Sequence, residues 1–219
     1  MTNWKEIYQS KLTTAEEAIK LINDGDKVVT GFGCGEPFAI ERALVDNYQN
    51  YHDVQIVNML TLGDSPWCRP EMKGHFTLNC LFASQSNRKA ISLGVSEFTT
   101  SHFYEIPDLI KNYIRPRVTI VMVSPPDEHG YVSFGTTVDY TRGTADYCDI
   151  KIAQVNKYMP RTFGNSFMHI RDFTCFVEHD EPLPEVKAVE ISDTEMEIGK
   201  YCASLINDGD CLQLGIGGI

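Results

Sequence analysis

Apolar residues recur along this chain with two periods. Ala15, Ala18, Ile19 and Ile22 keep the spacing of a helix face, Thr13 and Glu16 stand in capping-box relation, and Gly25 falls where a left-handed helix end is wanted. This predicts a helix over 14–24. A second helix is expected over Phe38–Tyr48 from Ile40, Leu44 and Val45, with Pro37 admitted at its first turn. Shorter helices are expected from Asn87 to the stop at Gly94, over Glu105–Lys111, and over Asp139–Tyr147. Short apolar runs rich in β-branched residues predict strands at Val28–Val29, Val54–Leu60, Leu78–Phe82, Phe98–Phe103, Ile150–Val155 and Phe173–Val177. In Val118–Val123 every residue but Met122 is β-branched, which fits a parallel strand buried on both faces.

The same grammar occurs twice. Leu21 to Asp26 and Leu205 to Asp210 both read Leu-Ile-Asn-Asp-Gly-Asp, and Gly31 and Gly33 are in phase with Gly215 and Gly217. In the second copy Ser192 and Glu195 form the capping box, Gly209 ends the helix and Leu212–Leu214 is the expected strand. The acidic, proline-bearing stretch 178–186 reads as a linker, so the expected domains are 1–185 and 186–219. The fold class is α/β: an open, mostly parallel sheet flanked by helices, plus the start of a second related α/β domain. In such sheets ligands bind beyond the carboxyl ends of the strands. Those ends carry Gly31-Phe32-Gly33-Cys34-Gly35-Glu36-Pro37, Asn58 with the polar turn 61–66, and the stretch from Ser124 to Gly135, which includes Asp127, His129 and Gly130. Asp127 and His129 either polarise a substrate or cap a turn; both readings are open at this point.

Composition narrows the function. A formal charge of −11 excludes the basic surface that phosphate-backbone binding requires, so no nucleic-acid partner is expected. No apolar run reaches the ~18 residues of a membrane span, and the amino terminus lacks the apolar core of a secretion signal. Seven cysteines without close pair spacing fit a reducing compartment, and the expected location is cytoplasmic. Position 36 is glutamate where a dinucleotide fingerprint needs its third glycine, so no nucleotide redox cofactor is expected. No Gly-x-Ser-x-Gly elbow occurs, so the commonest serine-hydrolase signal is missing, and Cys34, a conceivable nucleophile with no histidine nearby in sequence, reads as a small filler; His169, Cys175 and His179 lack metal-ligand spacing, so no metal is expected.

Several ordered stretches go further than composition. These are Arg88-Lys89-Ala90-Ile91 with Gly94, Glu105-Ile106-Pro107, Val123-Ser124-Pro125-Pro126-Asp127 with Gly130-Tyr131, Val155-Asn156 with Met159-Pro160-Arg161-Thr162 and Gly164, and Gln213-Leu214-Gly215-Ile216-Gly217-Gly218-Ile219. In these stretches the chain resembles the amino-terminal half of the acetyl-CoA hydrolase/transferase family, the acyl-CoA:carboxylate CoA-transferases of the 4-hydroxybutyrate and butyrate/acetate types. The resemblance implies acyl-CoA and a short-chain carboxylate as substrates, a glutamate nucleophile that passes through an acyl anhydride and a glutamyl-CoA thioester, and a homo-oligomer. It implies that Gly215, Ile216, Gly217, Gly218 and Ile219 contact CoA. The family's nucleophile lies after that loop, so no catalytic residue is expected within these 219 residues and the carboxy-terminal half of the enzyme is an expected partner. Gly31, Gly33, Glu36, Pro37, Asn58, Asp127, His129 and Gly130 are the candidates for the substrate pocket. The alternatives are an acetyl-CoA hydrolase of the same fold, a non-catalytic lobe that binds acyl-CoA or a partner, and, by fold analogy alone, a sugar-phosphate-type isomerase.

Overall fold

The computed structural model describes residues 3–185 and 190–215, and the chain divides into two compact units, Met1–Pro184 and Glu185–Ile219. In order, the first unit comprises α1 (Trp4–Lys11), α2 (Ala15–Ala18, continued by a 3-10 turn to Leu21), β1 (Lys27–Thr30), α3 (Phe38–Asp46), β2 (Val54–Asn58), β3 (Phe76–Cys80), α4 (Arg88–Ser92) and β4 (Glu97–Phe98). It goes on through α5 (Ile106–Leu109, running into a π turn to Ile114), β5 (Val118–Val123), β6 (Tyr131–Ser133), α6 (Asp139–Tyr147), β7 (Ile150–Val155), β8 (Phe167–His169) and β9 (Cys175–Glu178). The second unit contains α7 (Asp193–Ala203).

Seven strands form one all-parallel sheet in the order β4-β3-β2-β1-β5-β7-β9, with β6 and β8 as a separate antiparallel pair. The open, parallel α/β architecture read from the sequence is therefore present. Chain progression reverses between β1 and β5, which pair with Val28 opposite Val118 and Thr30 opposite Ile120. That is a topological switch point, where connections leave in opposite directions and open a crevice at the strands' carboxyl ends. Alternation puts the core on both faces. Val28, Ile56, Leu78 and Ile120 pack against α2 and α3, while Val29, Val57, Val121 and Val123 face α5, α6 and α1. All six residues of β5 are buried, as its composition predicts.

The local chemistry of the repeat is the same in both copies. Gly25 has φ +75° and Gly209 +90°, Asn23 N donates to Asp26 Oδ2 at 2.7 Å, and Asn207 N donates to Asp210 Oδ2 at 2.7 Å. In the first copy Asp26 also takes a two-pronged grip from Arg117, at 2.7 Å through Nε, and this pair ties the β1 turn to the start of β5. Arg117→Ala is expected to cost about 2–3 kcal/mol, because it leaves the nearly buried Asp26 carboxylate without its charge partner. Chemical denaturation of the variant against Asp26→Asn/Arg117→Ala measures it, and the double variant is expected to recover part of the loss.

Several elements depart from the sequence reading. The cap of α2 is Thr14, not Thr13, with its hydroxyl accepting from Glu17 N. Helix α1 was not expected; Asn3 caps it, and Trp4, Ile7 and Tyr8 give it an apolar side. The expected strand Phe98–Phe103 shrinks to β4, because this edge strand has β3 on one side only and a turn capped between His102 and Glu105 takes over. Leu212–Leu214 is not a strand, since among the described residues of the second unit there is no neighbour to complete a ladder.

Candidate active-site crevice

At the carboxyl end of β1 the loop 31–37 is held by its own backbone. Gly31 N donates to Ile120 O at 2.8 Å, Gly33 N to Leu60 O at 2.8 Å and Gly35 N to Phe32 O at 3.0 Å. The loop is thus stitched to β5 on one side and to the segment after β2 on the other. Two of its glycines are required by space: a Cβ at Gly31 would stand 2.4 Å from Gly35 O, and one at Gly35 would stand 2.1 Å from Thr137 Oγ1. Pro37 is buried and immediately precedes α3, whose Ala39 N–H is capped by the Gln154 side chain from β7 at 2.9 Å.

Asn58, the last residue of β2, is buried, and its amide donates to Thr30 Oγ1 at 2.8 Å and to Gly31 O at 3.0 Å. Tyr140 of α6 comes from the other face of the sheet, donates to Thr30 O at 3.1 Å and stacks on Phe32 at 5.2 Å. Beside this ring of contacts lie two acids. Glu36 is 1% exposed and Glu41, on the inner side of α3, is 5% exposed. Thr61 Oγ1 donates to Glu36 Oε1 at 2.8 Å, and Thr30 is a neighbour of Glu41. Burial pushes the Glu36 carboxyl up to about 7. Burial and then the charge of Glu36 hold Glu41 well above the ordinary carboxylate range. Both side chains line a cleft of about 370 Å³ with Phe38, Arg42, Gly63 and Arg69.

Five of the sequence candidates, Gly31, Gly33, Glu36, Pro37 and Asn58, therefore meet at the ends of β1 and β2. Asp127, His129 and Gly130 form a separate cluster. The Asp127 carboxylate accepts from His129 N at 2.9 Å and Tyr131 N at 2.8 Å and is paired with Arg161. His129 is exposed, and Gly130, at φ +82°, packs against Trp4 and His169. Gly215 is exposed, and Ile216, Gly217, Gly218 and Ile219 lie outside the described residues. Glu41, Thr30 and Tyr140 escaped the sequence reading, and Thr61 entered it only as part of the polar turn 61–66. For Glu41 a signal exists: it shares the helix side of Ile40 and Leu44, which face the core. A larger hollow of about 610 Å³ lies beneath β8. Its cations are already engaged, Arg142 by Phe167 O and Asp146, Lys151 by Cys148 O and Arg171 by His169.

An all-parallel, doubly wound sheet whose switch point is bordered by a backbone-pinned glycine loop defines an α/β lobe of the class in which ligands bind at the strands' carboxyl ends. Residues 1–187 match the acetyl-CoA hydrolase/transferase N-terminal domain, and the chain belongs to that family. It is 43% identical over 217 residues to 4-hydroxybutyrate coenzyme A transferase of Clostridium kluyveri, covering 99% of this chain and 51% of that protein. Among solved structures, RipA from Yersinia pestis superposes with a TM-score of 0.93 at 30% identity, over 99% of this chain and 53% of that one. A 4-hydroxybutyrate CoA-transferase from Porphyromonas gingivalis superposes with a TM-score of 0.83 at 36% identity, over 98% and 50%. The chain thus spans about half the length of the relatives it matches.

Proposed function

We propose that this chain is the amino-terminal lobe of an acyl-CoA:carboxylate CoA-transferase of the 4-hydroxybutyrate or butyrate/acetate type. The observation that carries the reading is the 43% identity, along 99% of the chain, with a curated 4-hydroxybutyrate transferase. In the proposed reaction a glutamate carboxylate outside these 219 residues attacks the thioester carbonyl, the C–S bond breaks and CoA leaves as thiolate. The thiolate then attacks the glutamyl carbonyl of the anhydride and expels the first acid as its carboxylate. A second carboxylate takes the enzyme's glutamyl group from CoA, and the returning thiolate collects the new acyl group. Covalent catalysis of this kind conserves the activation of the thioester on the enzyme's glutamyl carbonyl while the carboxylates exchange.

The loop 31–37, Asn58 and the turn at Asp127–Gly130 are proposed for the acyl side, and Gly215–Ile219 for CoA. The amides of Gly31, Gly33 and Gly35 are spent inside the fold, which leaves stabilisation of the oxyanion to other donors of the crevice. Cysteine usage without disulfides supports a cytoplasmic enzyme. The test is turnover by the purified 219-residue chain with butyryl-CoA and acetate. No acetyl-CoA is expected; sustained production would place the nucleophile within this chain and overturn the reading, with Glu36 the first residue to replace by glutamine.

A further inference from the structure

Glu36 and Glu41 come from different elements, the loop after β1 and the body of α3, yet they are neighbours in the lining of one cleft. Among the described residues two buried side-chain oxygens lack a partner, Glu36 Oε2 and Glu41 Oε1, one from each member of this pair. Buried carboxyl oxygens are satisfied by donors, and two ionised carboxylates in contact repel. A single proton between the two groups removes both difficulties. Among the described residues no cation does so in its place: of the charged groups facing the pair, Arg42 is drawn to Glu181 at 3.2 Å and Arg69 to Asp64 at 2.6 Å, while Asp46 adds only negative charge. The remaining titratable neighbour, Tyr140, donates its hydroxyl proton to Thr30 O.

The polar contacts continue outward on both sides. Asn58 donates to Thr30 Oγ1, which leaves the Thr30 hydroxyl hydrogen free for the neighbouring Glu41; on the other side Thr61 donates to Glu36. The chain Asn58, Thr30, Glu41, Glu36, Thr61 begins and ends on the β2 side and passes through β1, α3 and the glycine loop. We propose that Glu36 and Glu41 share one proton and that this carboxyl–carboxylate pair is the positioning element that locks the loop 31–37 against the segment after β2, setting one wall of the crevice. Its bearing on CoA transfer rests on the proposed function. The lock itself does not.

The pair predicts its own pH dependence. Once the loop opens, both carboxyls are solvated and titrate near the ordinary ~4.3; while it is closed, the shared proton is retained to at least about 7, with Glu41 held well above the ordinary range by burial and the charge of Glu36. Between these limits the closed form holds more protons than the open form, so opening becomes easier as pH rises, by about tenfold per pH unit. The reporter is the Gly33 amide, whose hydrogen bond to Leu60 O spans the joint. Hydrogen exchange of the 219-residue chain, corrected for intrinsic rates, is expected to show Gly33 protection falling about tenfold per unit between about pH 5 and about pH 7. Glu41→Gln, which supplies an amide donor in place of the proton, is expected to keep the protection and flatten the slope; Glu36→Gln is expected to do the same, and Glu41→Ala to lose protection at every pH. A flat wild-type profile overturns the proposal, and a slope retained in Glu36→Gln assigns the proton to Glu41 alone and overturns the pair. Should the variants fail to fold, carboxyl-carbon NMR of the wild type still decides: Glu36 and Glu41 are expected to titrate together in two separated steps, and independent single steps near ~4.3 refute the sharing. None of these readouts uses turnover, so the lock and the transferase reading fail separately.

Discussion

Alanine at Gly135 is expected to lower the stability of the chain by about 3 kcal/mol, since it adds left-handed backbone strain of ~1–2 kcal/mol to overpacking of ~1–3 kcal/mol. Gly135 sits at φ +60°, and a Cβ there would stand 2.1 Å from Met159 Sδ and 2.8 Å from Pro160 O. Met159 is buried and cannot swing into solvent, and the carbonyl is backbone. The site is further fixed by Gly135 N donating to Ser133 Oγ at 3.1 Å and by Thr162 Oγ1 donating to Gly135 O at 3.0 Å. Thermal unfolding is the measurement, with a fall of roughly 10 °C expected for a domain of this size. Gly143→Ala is the matched control: that glycine lies within α6 with nothing within 4 Å of its Cβ position, so alanine there is expected to stabilise by about 0.5–1 kcal/mol. A fall in both variants, or in neither, would show that the clash at Met159 is not what makes Gly135 necessary.

The contrast between these two glycines marks what the sequence discloses. Strand β5 was legible because a parallel strand buried on both faces needs β-branched apolar residues throughout, and Val118–Val123 supplies them. The turn at Asn23–Asp26 was legible because its residues are repeated at Asn207–Asp210 and local chemistry forms it in both places. The carboxyl-edge placement of Gly31, Glu36 and Asn58 followed from strand order in the chain. What was not legible depends on pairs distant in sequence. Asp127 is committed to a turn by the N–H groups of His129 and Tyr131, but also by Arg161, which lies on another segment. Strand β8 is only Phe167–His169 and exists because β6 offers it an antiparallel neighbour. Glu41 looked like an ordinary helical acid; only the proximity of Glu36, set by how the glycine loop folds back, makes it half of a pair.

Asn58→Leu is expected to cost about 2–3 kcal/mol, because it keeps the volume of the side chain but leaves the buried Gly31 carbonyl and Thr30 hydroxyl without their donor. Asn58 is a candidate for the wall of a substrate pocket, and because its amide nitrogen donates twice inside the fold, a loss is expected in stability before any ligand is added. Its location at the end of the polar chain gives a sharper test than the single variant. If Thr30 relays the donation from Asn58 to Glu41, removing either end disturbs the same structure. The effects of Asn58→Leu and Glu41→Gln then fall short of adding, with a coupling of about 0.5–3 kcal/mol. Denaturant titration of the wild type, both single variants and the double variant measures that coupling directly. Strict additivity would mean that the Asn58 amide supports Gly31 alone, and the loop would then be held at Asn58 and at the acid pair by two independent fastenings.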